Sequence, residues 1–424
     1  MKIGYLPRLC LSQVSTINID NNILEVVIIP CSPLILLLLF CDTIVHISGK
    51  RSMIAYNVCS EVLSQLGENI PQTFSAKQMT SMIEATIGMI EGISDKDLLG
   101  MKEMDSKLAT SMRFYNLMWL AAFMGKPEML PFLACRVVQH TMESGLCKHS
   151  ISGFLILAAL ICSKSVPKKE TATSTKIGKA TMFCFTQRYN TSEQIPEAFC
   201  YYYGFVAWRT EPLQTCTKKH GQAFDVGMSL GESGMAFNNA IQYVMTAILG
   251  GDRLPSLMEK VDYFMQKADN YQHLLSNLIF SIYRGTIAIL IGGGDSSHYS
   301  ADAQETAPSK ILELIFFFNA LRTYWQGHHS RCQHFVDKML KLISTLNDDL
   351  QGPMSTYIIF INGLNSLELM KTKYTHKLKS SSSRALKFLE EASEHSSWNF
   401  KNKVSNIKPL YDAFILHISR LIVS

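Results

Sequence analysis

The sequence predicts an all-α chain, an α-solenoid of stacked antiparallel helix pairs, and three observations carry that expectation. The first is the stretch Ala198–Leu290, a train of amphipathic segments broken by short Gly, Pro and Asp interruptions, with no strand-like alternation between them. The second is the explicit period inside it. Ala240, Tyr243, Val244, Ala247 and Ile248 recur at three- and four-residue steps and share one helical face. Gly250 and Gly251 then stop the helix, since glycine enters the left-handed region without steric cost. A second stripe follows through Leu254, Leu257, Val261, Phe264 and Met265, giving a helical hairpin whose apolar faces must stack on neighbours. The third observation is that the same pattern continues from Met53 to the last residues.

In order, residues 1–50 stand apart as a hydrophobic leader. Its apolar run from Ile23 to Ile47 is interrupted by Glu25, Pro30, Pro33 and Asp42, and the uninterrupted part, Pro33–Cys41, is shorter than the about 20 residues a spanning helix needs. Three readings stay open for it: a leader foreign to the folded chain, a membrane or targeting element, and a buried segment. The first part of the helical-repeat region, 51–291, begins with Ile54, Val58, Val62 and Leu66, ending at Gly67 with Pro71 beyond. Ser75 is suited to cap a second helix carrying Ile83, Ile87 and Ile90, and Asp105 or Ser106 opens a third through Met112, Tyr115, Trp119 and Phe123. Pro127 pre-sets a fourth that runs to Gly145. The next pair is expected at about 150–163 and 176–189, with the polar run 167–175 as a solvated loop between them. Residues 292–308, rich in Gly and Ser, read as a flexible loop. The second part, 309–424, resumes with helices at Ile311–Trp325, Cys332–Leu346 and Tyr357–Met370, then a polar linker at 371–383 and a final pair at about 384–394 and 399–423.

Composition excludes some function classes. At 424 residues the chain is long enough for a large core, and 47% hydrophobic residues is ordinary for a folded protein. A net charge of +5 with 18% charged residues does not build the concentrated basic face that a nucleic-acid backbone demands. The 11 cysteines are scattered, odd in number and free of CxxC pairs, which points to reduced thiols in a cytoplasmic setting rather than a disulfide framework. Asn190-Thr191-Ser192 has the form of a glycosylation sequon, relevant only in a secreted chain.

Several segments carry a family likeness as an ordered series: 54–71 (IAYNVCSEVLSQLGENIP), 112–133 (MRFYNLMWLAAFMGKPEMLPFL), 145–161, 205–214 (FVAWRTEPLQ), 236–266 and 396–404 (SSWNFKNKV). In this order they resemble the TPR-like helical region of large STAND-type signalling ATPases, over about Met53–Ala413. The resemblance implies a TPR-like fold and a scaffold or regulatory role, with a protein or peptide partner or neighbouring domains of a larger protein, and no cofactor. Where that family tends to carry His before the tryptophan matching Trp208, this chain has Ala207, and the 34-residue repeat consensus is approached only at 327–340. No phosphate-binding loop is present: Gly49-Lys50, Gly125-Lys126 and Gly178-Lys179 all lack the upstream glycine and the following Ser or Thr. The expectation is therefore a non-catalytic scaffold. A signalling ATPase or kinase whose nucleotide-binding part is missing from this chain, and a membrane-attached scaffold, are the alternatives.

Candidate chemistry is sparse. His328, His329 and Cys332 form the densest metal-capable set, with His328 and Cys332 four apart on one face and His334 pointing elsewhere, so the ordinary reading is a solvated helix start. His140, His220 and His417 read as surface or satisfied core residues, and the Ser229–Gly234 run lacks the spacing of a nucleophile elbow. Tyr201, Tyr202, Tyr203, Phe205 and Trp208 are candidates for an aromatic peptide groove, with inter-helix core as the plainer alternative. Lys371–Lys379 with Ser380–Ser383 has the make-up of a phosphorylation-tuned linker. For partner binding the candidates are Asn238, Asn239 and Gln242, expected on the wet face of their helix, because amides bond a peptide without the desolvation cost of charges.

Overall fold

Helix boundaries follow local capping chemistry. The structure, a computed structural model, describes residues 14–19, 22–27, 49–162, 168–189, 192–292, 309–346 and 352–423. The helices are α1 (Gly49–Gln65), α2 (Ala76–Ile90), α3 (Asp95–Gly100), α4 (Ser106–Gly125), α5 (Leu130–Ser144), α6 (Ser150–Ile161), α7 (Lys168–Arg188), α8 (Ile195–Tyr201) and α9 (Leu213–Leu230). They continue as α10 (Ser233–Gly250), α11 (Leu254–Asn270), α12 (Leu274–Ile291), α13 (Ser309–Trp325), α14 (His329–Leu346), α15 (Pro353–Met370), α16 (His376–His395) and α17 (Ser397–Val423). Ser75 and Gln78 form a reciprocal capping box at α2, and Asp105 caps α4 through the amides of Lys107 and Leu108. Gly251 ends α10 at φ +81°, the left-handed conformation its sequence position calls for.

The helical body is all-α. Outside it, the antiparallel strands β1 (Val14–Ile19) and β2 (Asn22–Val27) pair Val14 with Val27 and Ile17 with Leu24. Apart from these strands and the opening of α1, the leader expected at 1–50 lies outside the described residues, as does the loop expected at 292–308 apart from Gly292, which ends α12 at φ +92°.

Two expected loops are helical instead. The polar run 167–175 enters α7 at Lys168, and Thr171 and Ser174 are buried. The linker expected at 371–383 is a short turn, after which Thr375 caps α16 by accepting from the Leu378 amide. Ser381 and Ser382 are buried there, and the Ser382 hydroxyl donates to the Lys379 carbonyl, while Ser380 and Ser383 are exposed on the same helix, so this serine run is helix rather than linker. Hydroxyl residues can be buried in a helix, although the Ser174 hydroxyl itself makes no hydrogen bond. Ser and Thr look polar in sequence, yet in a helix their hydroxyls can bond the carbonyl a turn back and be buried without loss, as Thr181, Thr217, Thr246, Thr286 and Thr323 all do here.

Consecutive helices pack on one another through most of the chain, while at the start α1 packs on α4 and α2 on α5. A file of touching rings, Phe224, Phe264, Phe280, Tyr283, Phe318 and Phe317, runs from α9 through α11 and α12 into α13 with centroids 4.8 to 6.5 Å apart. Gly363 lets α15 approach α16 and α17, since a Cβ there would stand 2.7 Å from both Ala385 and Ile407. Among the described residues α12 alone is long and apolar enough to cross a membrane, and its Ile279, Phe280, Ile282, Tyr283 and Ile287 are buried against neighbouring helices.

One junction joins distant parts of the sequence. After α8 the chain makes a π-helical turn, Tyr202–Val206, and a 3-10 turn, Ala207–Arg209, before α9 begins. Pro212 at the cap position of α9 offers no side-chain acceptor. Asn399 of α17 supplies it: its Oδ1 accepts from the Leu213 amide at 3.1 Å, and its Nδ2 donates to the carbonyls of Trp208 and Glu211 at 2.7 and 2.8 Å. Beside it, the Tyr357 hydroxyl of α15 donates to the Leu249 carbonyl of α10, and the Trp208 and Phe400 rings meet edge to face. The two segments quoted above as 205–214 and 396–404 are the halves of this junction.

At the other end, Glu68 is held by three donors. The Tyr115 hydroxyl, the Arg136 guanidinium and the His140 ring reach its Oε2 at 2.8, 3.0 and 2.9 Å. Burial pushes the Glu68 carboxyl up, but these hydrogen bonds outweigh it and hold the pKa at about 2, below the usual 4.5. A depressed carboxylate stabilises the fold above its unfolded pKa and loses that contribution as it is protonated in the native state. Stability should therefore fall between pH 4.5 and about 2, and Glu68→Gln should flatten this acid limb in denaturant titrations. An unchanged acid limb in the variant would contradict the assignment.

Candidate functional site

Closing the helical array through Asn399 leaves a cavity of about 200 Å³ at its centre. Its wall draws on α4 (Trp119, Phe123), α8 and the π-turn (Cys200, Tyr201, Phe205), α10, α12, α13, α14 and the start of α15. Most of it is apolar, with Ile241, Met245, Ile279, Tyr283, Leu314 and Met339 facing inward. A few polar groups interrupt that surface, which is the usual composition of a binding pocket.

The polar groups fall into three sets. On α10, Asn238 and Gln242 sit one turn apart, both half-buried on the cavity wall. At the start of α13, Lys310 and Glu313 form a buried ion pair with Nζ 3.4 Å from Oε1, both side chains 9% exposed, and the Lys310 ammonium lies 5.0 Å from the Phe123 ring centre. On α12, Ser276 is buried and its hydroxyl makes no hydrogen bond, while His273 at the helix's N-cap lies tilted 4.8 Å from the Phe237 ring.

Beside the Lys310–Glu313 pair, burial keeps one thiol and two phenols of the wall in neutral form. Burial pushes the Cys200 thiol up to about 12, with nearby Glu197 adding to the shift, and burial raises the Tyr201 and Tyr283 hydroxyls well above their ordinary value. A thiol kept protonated at neutral pH is a poor nucleophile.

The three amides expected together on a wet face divide. Asn238 and Gln242 reach the cavity, but Asn239 is fully buried. Its Oδ1 accepts from His220 Nδ1 at 2.9 Å, and its Nδ2 donates to the carbonyls of Pro196 and Met235 at 2.7 and 2.9 Å. Burial lowers the His220 pKa to about 4, so the ring is neutral in this pair. The correction has a geometric cause: α10 is covered on two sides, by α9 and α8 as well as by α11, so its inward arc is wider than one apolar stripe.

The aromatic candidates divide too. Tyr201 and Phe205 line the cavity, whereas Tyr202 packs over Gly178, Tyr203 meets the rings of Phe199 and His220, and Trp208 is buried against Phe400. The metal-capable set does not converge. His328 is exposed, His329 Nδ1 lies 3.1 Å from Asn365 Oδ1, and Cys332 is wholly buried with its thiol pushed up to about 12 by burial. Among the described residues no group of three or more His, Cys, Asp and Glu side chains is placed to hold a metal ion.

Sequence reasoning missed Trp119, Phe123, Ser276, Ile279, Lys310 and Glu313. The one local signal was a charged pair, Lys310 and Glu313, set into the apolar run of α13. A second cavity of similar volume lies between α2, α3, α5, α6 and α7; there Ser94 caps α3 with Asp97, and the Thr181 hydroxyl donates to the Ile177 carbonyl.

Comparison with protein-family models, curated proteins and solved structures returns no match. The functional reading therefore rests on the geometry of the central cavity.

Burial separates the neighbouring amides in a measurable way. Asn239→Ala strands the His220 N–H and the Pro196 carbonyl and should cost about 2–4 kcal/mol in urea unfolding, while Asn238→Ala should stay within about 0.5 kcal/mol. Equal effects would contradict the placement of α10.

Proposed function

We propose that the chain is a non-catalytic helical-repeat scaffold or regulatory interaction module, a TPR-like α-solenoid that takes a segment of a protein or peptide partner into its central cavity. The observation that supports this most directly is the pairing of a concave apolar wall with the Asn238 and Gln242 amides, two uncharged groups with both donors and acceptors at its surface. Such amides match main-chain groups of a peptide, while the apolar wall takes its side chains. The neutral Cys200 thiol and the neutral Tyr201 and Tyr283 phenols favour binding over group transfer. The resemblance to the helical region of STAND-type signalling ATPases agrees with a signal-transduction setting in the cytoplasm, where the partner would be another protein or a neighbouring domain. No nucleic acid and no cofactor enters this reading.

A peptide-display selection against the full chain tests it. Selected peptides should lose most of their binding when Asn238 and Gln242 are both replaced by Ala, and keep it when the exposed Glu259 on α11 is replaced by Ala. Peptides that bind the double variant as well as the parent would move the partner site off the cavity.

A further inference from the structure

We propose that Lys403 is a proton-operated latch on closure of the helical array: the junction holds its neutral amine more tightly than its ammonium, so the array and its central cavity are more firmly closed once Lys403 has lost its proton.

Position is the first argument. Lys403 stands one turn after Asn399 on α17 and is 5% exposed. Its Nζ donates to the Asn399 carbonyl, and the side chain of the same asparagine caps α9. The Nζ also lies 4.2 Å from the centre of the Tyr357 ring and 5.8 Å from that of Phe400. Tyr357 in turn reaches the Leu249 carbonyl of α10 through its hydroxyl, and Phe400 meets Trp208. All three neighbours of the amine are thus contacts of the junction that closes the array.

The second argument is the missing countercharge. Among the described residues no carboxylate lies within ion-pair distance of Lys403. On α16, Glu390 is taken by Lys408, and His395 lines a small space beside Phe400 together with Arg209 of the 3-10 turn. Glu211, just before α9, accepts from the Tyr202 hydroxyl, and burial raises the Tyr357 phenol of α15, which keeps it neutral. Lys310, whose side chain is buried to a similar extent, has Glu313 beside it. An ammonium carries three donors, and here it meets one carbonyl and two ring faces, which do not replace the water it gives up. Burial accordingly pushes Lys403 down from 10.5 to about 8.

The sign of the effect follows. In an open array the side chain reaches water and keeps its proton up to the ordinary value, whereas in the closed array it releases it near pH 8. Between these values the open form binds the extra proton, so closure gains as pH rises from about 8 to 10.5, by at most about tenfold per pH unit for one proton. Below that window both forms carry the ammonium, and closure bears its full cost.

NMR of the full chain labelled with carbon-13 at lysine Cε, with residue-level hydrogen exchange on the parent and on Lys403→Met, tests the latch. One lysine, assigned through its contact with the Tyr357 ring, should titrate near pH 8, and its signal should be absent from the variant. Methionine fills much of the same space without the charge, so at pH 7 the Leu213 amide should be protected about tenfold more in the variant than in the parent. In urea unfolding the parent should draw closer to the variant as pH rises from 8 to 10. Buried thiols such as Cys216, pushed up to about 12, weaken the fold above pH 9 in both chains, and the difference between the two removes that common part. A Lys403 signal that titrates near 10.5 would overturn the proposal, and this measurement needs only the parent. A folded variant whose Leu213 amide is less protected would show that the ammonium holds the junction, and an unchanged amide would show that it has no hold on closure; either result overturns the latch.

Discussion

The side chain of Asn399 does for α9 what no neighbouring residue can. A helix start leaves amides without intrahelical partners, and Pro212 in the cap position has no side-chain oxygen to offer. The two carbonyls that Asn399 also meets belong to the irregular turn between α8 and α9, where the helical ladder is broken. One buried amide thus satisfies three main-chain groups of a segment nearly two hundred residues earlier, and all of its polar atoms are used. In an open helical stack each unit touches only its neighbours. Here the last helices return to the middle of the chain, and α15 lies on α10 as a result.

That return produces the cavity. Its wall needs α4 from the early part of the chain, α10 and α12 from the middle, and α13 to α15 from the late part, so it exists only while the array is closed. Three polar clusters inside the closed body are paired: Glu68 with three donors, Asn239 with three partners, and Lys310 with Glu313.

Most helices were legible in the sequence because their signals are local. Ser75 with Gln78, Asp105, Gly145 and Gly251 act within a few residues of themselves, and the structure uses each at the end where its chemistry belongs. The runs at 167–175 and 371–383 were misread because composition cannot distinguish a serine facing water from one facing a neighbouring helix. The amides of α10 were half legible: Asn238 and Gln242 lie where the apolar stripe ends, but the burial of Asn239 depends on α8 and α9 covering a second arc. The cavity itself was not legible, since Trp119, Ser276 and Glu313 come together only through contacts between helices far apart in the chain. Asn399 was hidden for the same reason, as one polar residue at the start of a helix gives no hint of the backbone it will cap.

The account depends on closure, and the amide of Leu213 reports it directly. As the first residue of α9 it has no partner inside its own helix and would exchange freely with solvent if the array were open. Residue-level hydrogen exchange on the full chain should find this amide protected to the same extent as the buried amides of α15 and α16, because Asn399 accepts from it and covers it. Exchange at the rate of an unstructured amide, with α15 and α16 still protected, would show that the C-terminal helices do not close on the middle of the chain.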